Sequence, residues 1–117
     1  MKHGRVYRAD NHHCLIPRVA RTSSWFERLR GLLGLPSPAT DEALLIRPCS
    51  SVHTFFMGYA IDLIFLDRDW RTLRLVKSLQ PWRMAACPKA AMVLELADGA
   101  LERLQLTPGI QLEWQDA

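Results

Sequence analysis

Residues 42–79, EALLIRPCSSVHTFFMGYAIDLIFLDRDWRTLRLVKSL, hold most of the β-forming side chains of this 117-residue chain. Val, Ile, Leu, Phe and Thr gather there in short runs separated by turn residues, the pattern of successive strands. The runs are ALLIRP, SVHTFFM, IDLIFLD and TLRLVKSL, with Gly58 and the Asp67–Trp70 segment as turns. The last two read as a hairpin: an apolar run, an Asp-Arg-Asp tip, then alternation through Leu73 and Leu75.

Working outward, HHCLIPRVART (12–22) predicts a short strand that Pro17 confines to an edge or a bulge. SSWFERLRGLLGLP (23–36) predicts a helix from Ser24 to Leu33. Ser24 and Glu27 stand in capping-box relation, and Trp25, Leu29, Leu32 and Leu33 share one face. Gly34 and Pro36 then end it. Downstream, PWRMAACPK (81–89) is irregular between its prolines, and AMVLELA (91–97) reads as a strand. GALERLQL (99–106) has helical spacing, giving a second helix near Asp98 to Leu104. Pro108-Gly109 turns the chain into IQLEW, which alternates Ile110, Leu112 and Trp114 inward.

The expected fold class is therefore α+β: a small mixed β-sheet or partly closed β-barrel with two short helices. One compact domain over 1–117 is expected, with residues 1–12 a flexible lead-in. Hydrophobic residues make up 49% and charged residues 23%, an ordinary globular composition rather than a disordered one.

The net charge of +3 is mild. Arg71, Arg74 and Lys77 group only loosely, with neither a dense basic stripe nor aromatics placed to stack on bases. That argues against nucleic acid as a partner. Cys14, Cys49 and Cys87 form no CxxC pair, which argues against a zinc knuckle or a disulfide framework and for reduced thiols. MKHGRVYRADNHHCLIPRVA has no signal-peptide core, and no later run approaches the length of a membrane span, so the expected location is the cytoplasm.

Few residues point to chemistry. CSSVHTFFM (49–57) places a thiol, an imidazole and a thioether at steps of four, a soft ligand set. On one straight strand, however, Cys49 and Met57 would stand well over ~20 Å apart. Cys49, His53, Met57 and Cys87 are thus weak metal candidates, and a packed strand is the better reading. His53 and Asp62 could meet across a turn at Gly58–Ala60 as an acid–base pair. The alternative is that Asp62 ties down a turn through backbone amides. His12, His13 and Cys14 are adjacent, point apart on a strand and seldom chelate together. Glu95 sits amid apolar neighbours, and alternation does not decide whether it faces inward. There is no P-loop, GxGxxG, GxSxG or HExxH, and no cofactor is called for.

The order of RTSSWFERLRGLLG, PCSSVHTFFMGYAIDLIFLDRD, and the segment from Pro81-Trp82 through CPKAAMVLELADG to TPG resembles domain-of-unknown-function family 192. His53, Thr54, Met57, Ile61, Asp62, Phe65, Leu66 and Asp67 form its most specific part. The resemblance implies an α+β domain built on a small β-barrel and brings no activity or cofactor with it. It also implies an export signal in many members, which this chain lacks. The family pattern often has Pro where this chain has Ala60, and Gly-Asp where it has Gly109-Ile110. Loss of that second acid fits a turn-stabilising role better than a catalytic one.

The leading functional expectation is a non-catalytic binding or accessory module with a pocket around His53, Met57, Asp62, Trp82 and Glu95, taking a small ligand or a protein partner. An enzyme using His53 and Asp62, or a soft-metal protein, are the alternatives.

Overall fold

In the computed structural model, which describes residues 2–22, 36–55 and 57–117, the chain runs through nine strands and one helix. The strands are β1 (Lys2–Arg8), β2 (Cys14–Thr22), β3 (Glu42–Ile46), β4 (Ser51–His53), β5 (Ile61–Leu66), β6 (Thr72–Leu79), β7 (Met84–Ala86), β8 (Met92–Ala97) and β9 (Leu112–Asp116). The helix, α1, is Ala100–Leu104. The helix expected at Ser24 to Leu33 lies outside the described residues. Among those described, the molecule is mostly β with one short helix.

Seven strands form one sheet in the order β6-β5-β8-β3-β2-β1-β9. Only β2 and β3 run parallel, with Arg18 opposite Glu42, so the sheet is mixed. It curls until its edge strands touch at one corner, where Arg71 bridges Gln111. Thr72 fastens that corner. Its amide donates to Ile110 O at 2.9 Å and its carbonyl accepts from Gly109 N at 2.8 Å. Its hydroxyl donates to Thr107 O at 2.8 Å and accepts from Ile110 N at 2.9 Å. Gly109, at φ 92°, takes a backbone conformation that side chains disfavour.

Both faces of the sheet centre are covered. Val6, Val19, Leu45, Ile64, Leu94 and Leu112 pack with α1 residues Ala100 and Leu101 inside the curl. On the opposite face Ile61, Leu63, Phe65 and Val93 pack with Val52, Met57 and Ala85. Here Val52 and Ala85 belong to a two-stranded ribbon, β4 paired with β7, that lies against the sheet. Central strands buried on both sides read as unbroken apolar runs, which is why IDLIFL is buried at every position.

Several sequence expectations change. The lead-in forms β1, between β2 and β9. β2 is interior rather than at an edge, and Pro17 is accommodated by the bulge instead. The register steps from Gly4 opposite Val19 to Val6 opposite Ile16, one extra residue on β2. SVHTFFM is a strand only to His53, after which the chain turns, with Met57 N donating to Thr54 O. PWRMAACPK contains β7. The β5–β6 hairpin is as expected, its tip held by Asp67 Oδ1, which accepts from the amides of Asp69 and Arg71. No helix among the described residues is long and apolar enough to cross a membrane.

Candidate functional site

Among the described residues, the large apolar side chains left exposed, Phe55, Trp82 and Met84, lie on or beside the β4–β7 ribbon. Val52 and Ala85 turn inward, so by alternation His53 and Met84, paired across the ribbon, turn outward. Beyond His53 the chain is pinned by Thr54, which is fully buried. The Thr54 hydroxyl donates to Gln80 O at 2.6 Å and accepts from Arg83 N at 3.0 Å. Its amide donates to Arg83 O at 2.8 Å, and its carbonyl accepts from Trp82 N at 3.1 Å. One side chain thus locks the strand exit of β4 to the approach of β7.

That lock brings three rings into a row. The His53 and Phe55 rings stack at 4.9 Å and 26°, and Phe55 and Trp82 follow at 5.7 Å and 25°. Phe55 is 36% exposed, Trp82 55% and Met84 63%. Trp82 holds φ 62°, a left-handed backbone rare for a bulky residue. His53 is half-buried, and its Nδ1 is buried without a hydrogen bond. The ribbon therefore presents stacked rings and a thioether, with the buried Nδ1 of His53 behind them.

Asp62 belongs elsewhere. Its neighbours Ile61 and Leu63 face the ribbon, so Asp62 faces the inside of the curl, buried to 1% exposure. There Oδ1 accepts from Ser78 N at 2.8 Å and Oδ2 from Leu101 N at 2.9 Å. Ser78 sits where β6 carries an extra residue against β5, and Leu101 N is one of the amides at the start of α1 that the helix itself leaves without a partner. Asp62 is a brace between a bulge and a helix start. The structure does not bring it to His53: no hydrogen bond joins them, and they lie on opposite sides of the sheet.

The remaining sequence candidates are dispersed. Met57 is a core residue of the ribbon face, 6% exposed. Glu95 is fully buried in the centre of the sheet, between Leu44 of β3 and Leu63 of β5. Cys49 Sγ donates to Ser51 O, and Cys49 and Cys87 both pack at the margin of the ribbon-face core. No disulfide joins Cys14, Cys49 and Cys87. Among the described residues, no three His, Cys, Asp or Glu side chains group as metal ligands. His12 Nδ1 lies 3.1 Å from Glu113 Oε1 at the surface. A cavity of about 350 Å³, lined by His3, Gly4, Arg18 and Glu42 among others, lies beside β1–β3 and includes none of the predicted site residues. Of the five predicted pocket residues, His53 and Trp82 share the ring row. Phe55, expected to pack in the core, and Met84 complete it; ring stacking places the first and the β4–β7 register, with His53 opposite Met84, the second.

The family model described as uncharacterized ACR, domain of unknown function 192, matches residues 6–114. The chain belongs to that family. A UPF0127 protein of Thermococcus sibiricus is 32% identical over 104 residues, covering 84% of this chain and 66% of that protein. A UPF0127 protein of Pyrococcus furiosus is 40% identical over 67 residues, 56% of each chain. This chain thus spans between about half and two thirds of these relatives' lengths. Among solved structures, a protein of Sinorhizobium meliloti 1021 named as a candidate transcription regulator superposes with TM-score 0.77 at 22% identity, covering 97% of this chain and 92% of that one. A Novosphingobium aromaticivorans protein of unknown function gives TM-score 0.69 at 24% identity over 96% of this chain and 84% of that one. At these identities the superpositions establish a shared fold.

Proposed function

We propose that this member of family 192 acts as a non-catalytic binding module and that the β4–β7 ribbon around His53 is its binding surface. One observation carries this reading: the near-parallel row of His53, Phe55 and Trp82, open to solvent at Trp82 and flanked by Met84. Rings and thioethers left in water at a site held by a buried threonine are what a recognition surface requires. Trp and Met are also among the residues enriched where proteins bind.

Methyl-labelled methionine provides the test. Met84 is exposed on the ribbon, whereas Met57 and Met92 are buried and serve as references. Titration with short peptides, oligonucleotides and aromatic small molecules should move the Met84 methyl resonance first, with Met92 unmoved. Binding that shifts other sites and leaves Met84 in place, or that persists unchanged after Trp82→Ala, overturns the assignment.

A further inference from the structure

We propose that the ribbon docks an acidic segment of a partner protein, with carboxylates taken by the arginines around β7 and an apolar side chain taken by Met84. This rests on the ribbon being the binding surface and adds the class of its partner. Charge placement decides the class. The segments that build the ribbon and its flanks, residues 47–60 and 80–91, contain Arg47, Arg83 and Lys89 and not one Asp or Glu. The rest of the chain holds twelve basic and twelve acidic residues, so the whole net charge of +3 belongs to these two segments. A further cation comes from the sheet: Arg74 of β6 donates to Ala86 O at 2.6 Å, at the end of β7.

These cations are not neutralised within the fold. Elsewhere Arg18 pairs with Asp41 and Lys77 with Glu102. Arg47, Arg74, Arg83 and Lys89 are exposed, and none makes an ion pair with a described residue. Backbone carbonyls steady two of them instead: Arg83 donates to Trp82 O at 3.2 Å, and Arg74 to Ala86 O. A carbonyl occupies part of a guanidinium and leaves its charge in place, with further donors in a fork that fits a carboxylate. Met84 lies between those two carbonyls in the chain and is the most exposed of the large apolar side chains described. Its unbranched thioether adapts to apolar partners of varied shape. Cations set around such a residue match a chain that carries acids around a Leu or Phe. Nucleic acid is met by a denser basic stripe than these four cations form, whereas Met is enriched where proteins bind one another.

The experiment is fluorescence anisotropy of a labelled acidic peptide, Asp and Glu around a central Phe, with the full chain, paired with the Met84 methyl spectrum. The expected result is a Kd on the order of tens of micromolar at ~50 mM salt that weakens several-fold toward ~300 mM. Arg83→Glu should weaken binding by about tenfold, and Met84→Ala by about fivefold. Both side chains are exposed, so both variants should fold, and an unmoved Met92 methyl verifies it. No binding at low salt, equal binding of the same peptide with Asn and Gln in place of its acids, or affinity indifferent to either substitution overturns the proposal. An oligouridylate and phosphatidylserine vesicles separate the two layers. If either moves the Met84 methyl and the acidic peptide does not, the partner class is wrong and the ribbon stands as a binding surface. If no probe moves it, both readings fall.

Discussion

Asp62 and His53 lie close in the chain and on opposite faces of one sheet, and the fold treats them in opposite ways. Asp62 is buried with both carboxylate oxygens taken up by backbone amides, those of Ser78 and Leu101. His53 keeps a nitrogen without a hydrogen bond and stands at the inner end of a row of rings that runs outward to solvent. A buried acid whose two oxygens each accept from a backbone amide holds structure together, here the bulge of β6 against the start of α1. Rings left in water contribute little to the fold and are available to something else. The difference separates the structural residues of this family's most specific stretch from those free to serve binding.

The sharpest way to break the comparison is Asp62→Ala. Two amides lose a charged acceptor, and hydrogen bonds to charged groups contribute roughly 1.5–3 kcal/mol each, so urea denaturation should show a loss of about 3–6 kcal/mol. A loss under ~1 kcal/mol would mean that the brace carries no load and that Asp62 is open to another role.

Next come the two buried threonines. Thr54→Val and Thr72→Val each remove a hydroxyl that both donates and accepts, at a cost of about 1–3 kcal/mol apiece. Their local consequences should differ. Hydrogen exchange at Arg83 N, bonded to the Thr54 hydroxyl, should quicken in the first variant, and at Ile110 N in the second. Quickening of both amides in both variants would mean that ribbon and sheet open as one unit. The smallest effect belongs to Trp82→Ala, expected to change stability by no more than ~0.5 kcal/mol. A drop above ~1.5 kcal/mol would make the indole part of the core and remove it from the binding surface.

Strand positions were legible wherever one face of a strand is wet or a turn is marked. The Asp67–Trp70 tip, the Pro108-Gly109 turn and the runs at Ile61–Leu66 and Met92–Ala97 all stand where the pattern puts them. Glu95 was not legible, because β8 is covered on both faces and alternation there carries no direction. β7 was hidden for another reason. It is three residues long, bracketed by Pro81 and Pro88, and exists through its pairing with β4, a contact between segments some thirty residues apart, Ser51 with Ala86. β1 was hidden likewise, since Gly4 and Arg5 weaken its local strand signal and its stability comes from neighbours on either side. The candidate site followed the same rule. His53 and Trp82 stood out by residue type, whereas Met84 became visible only once the ribbon register was known and Phe55 only once its ring was seen stacked between theirs. Asp62 was expected in the pocket or as the acid–base partner of His53, with a turn-tying role as the alternative; its carboxylate holds amides of β6 and α1, not of its own turn.

The pairing of β1 with β9, Gly4 opposite Asp116 and Arg8 opposite Leu112, has a bearing on synthesis. A chain made from its amino end produces β1 well before β9, with the other described strands between them. Until β9 is free to fold, one side of β1 offers unpaired amides and carbonyls to any passing strand, the condition under which nascent sheets associate wrongly. The corner that Thr72 fastens to Ile110 must wait as well. Completion of this sheet is thus tied to the emergence of β9, and slowing that emergence would prolong the interval in which a nascent copy is prone to aggregate.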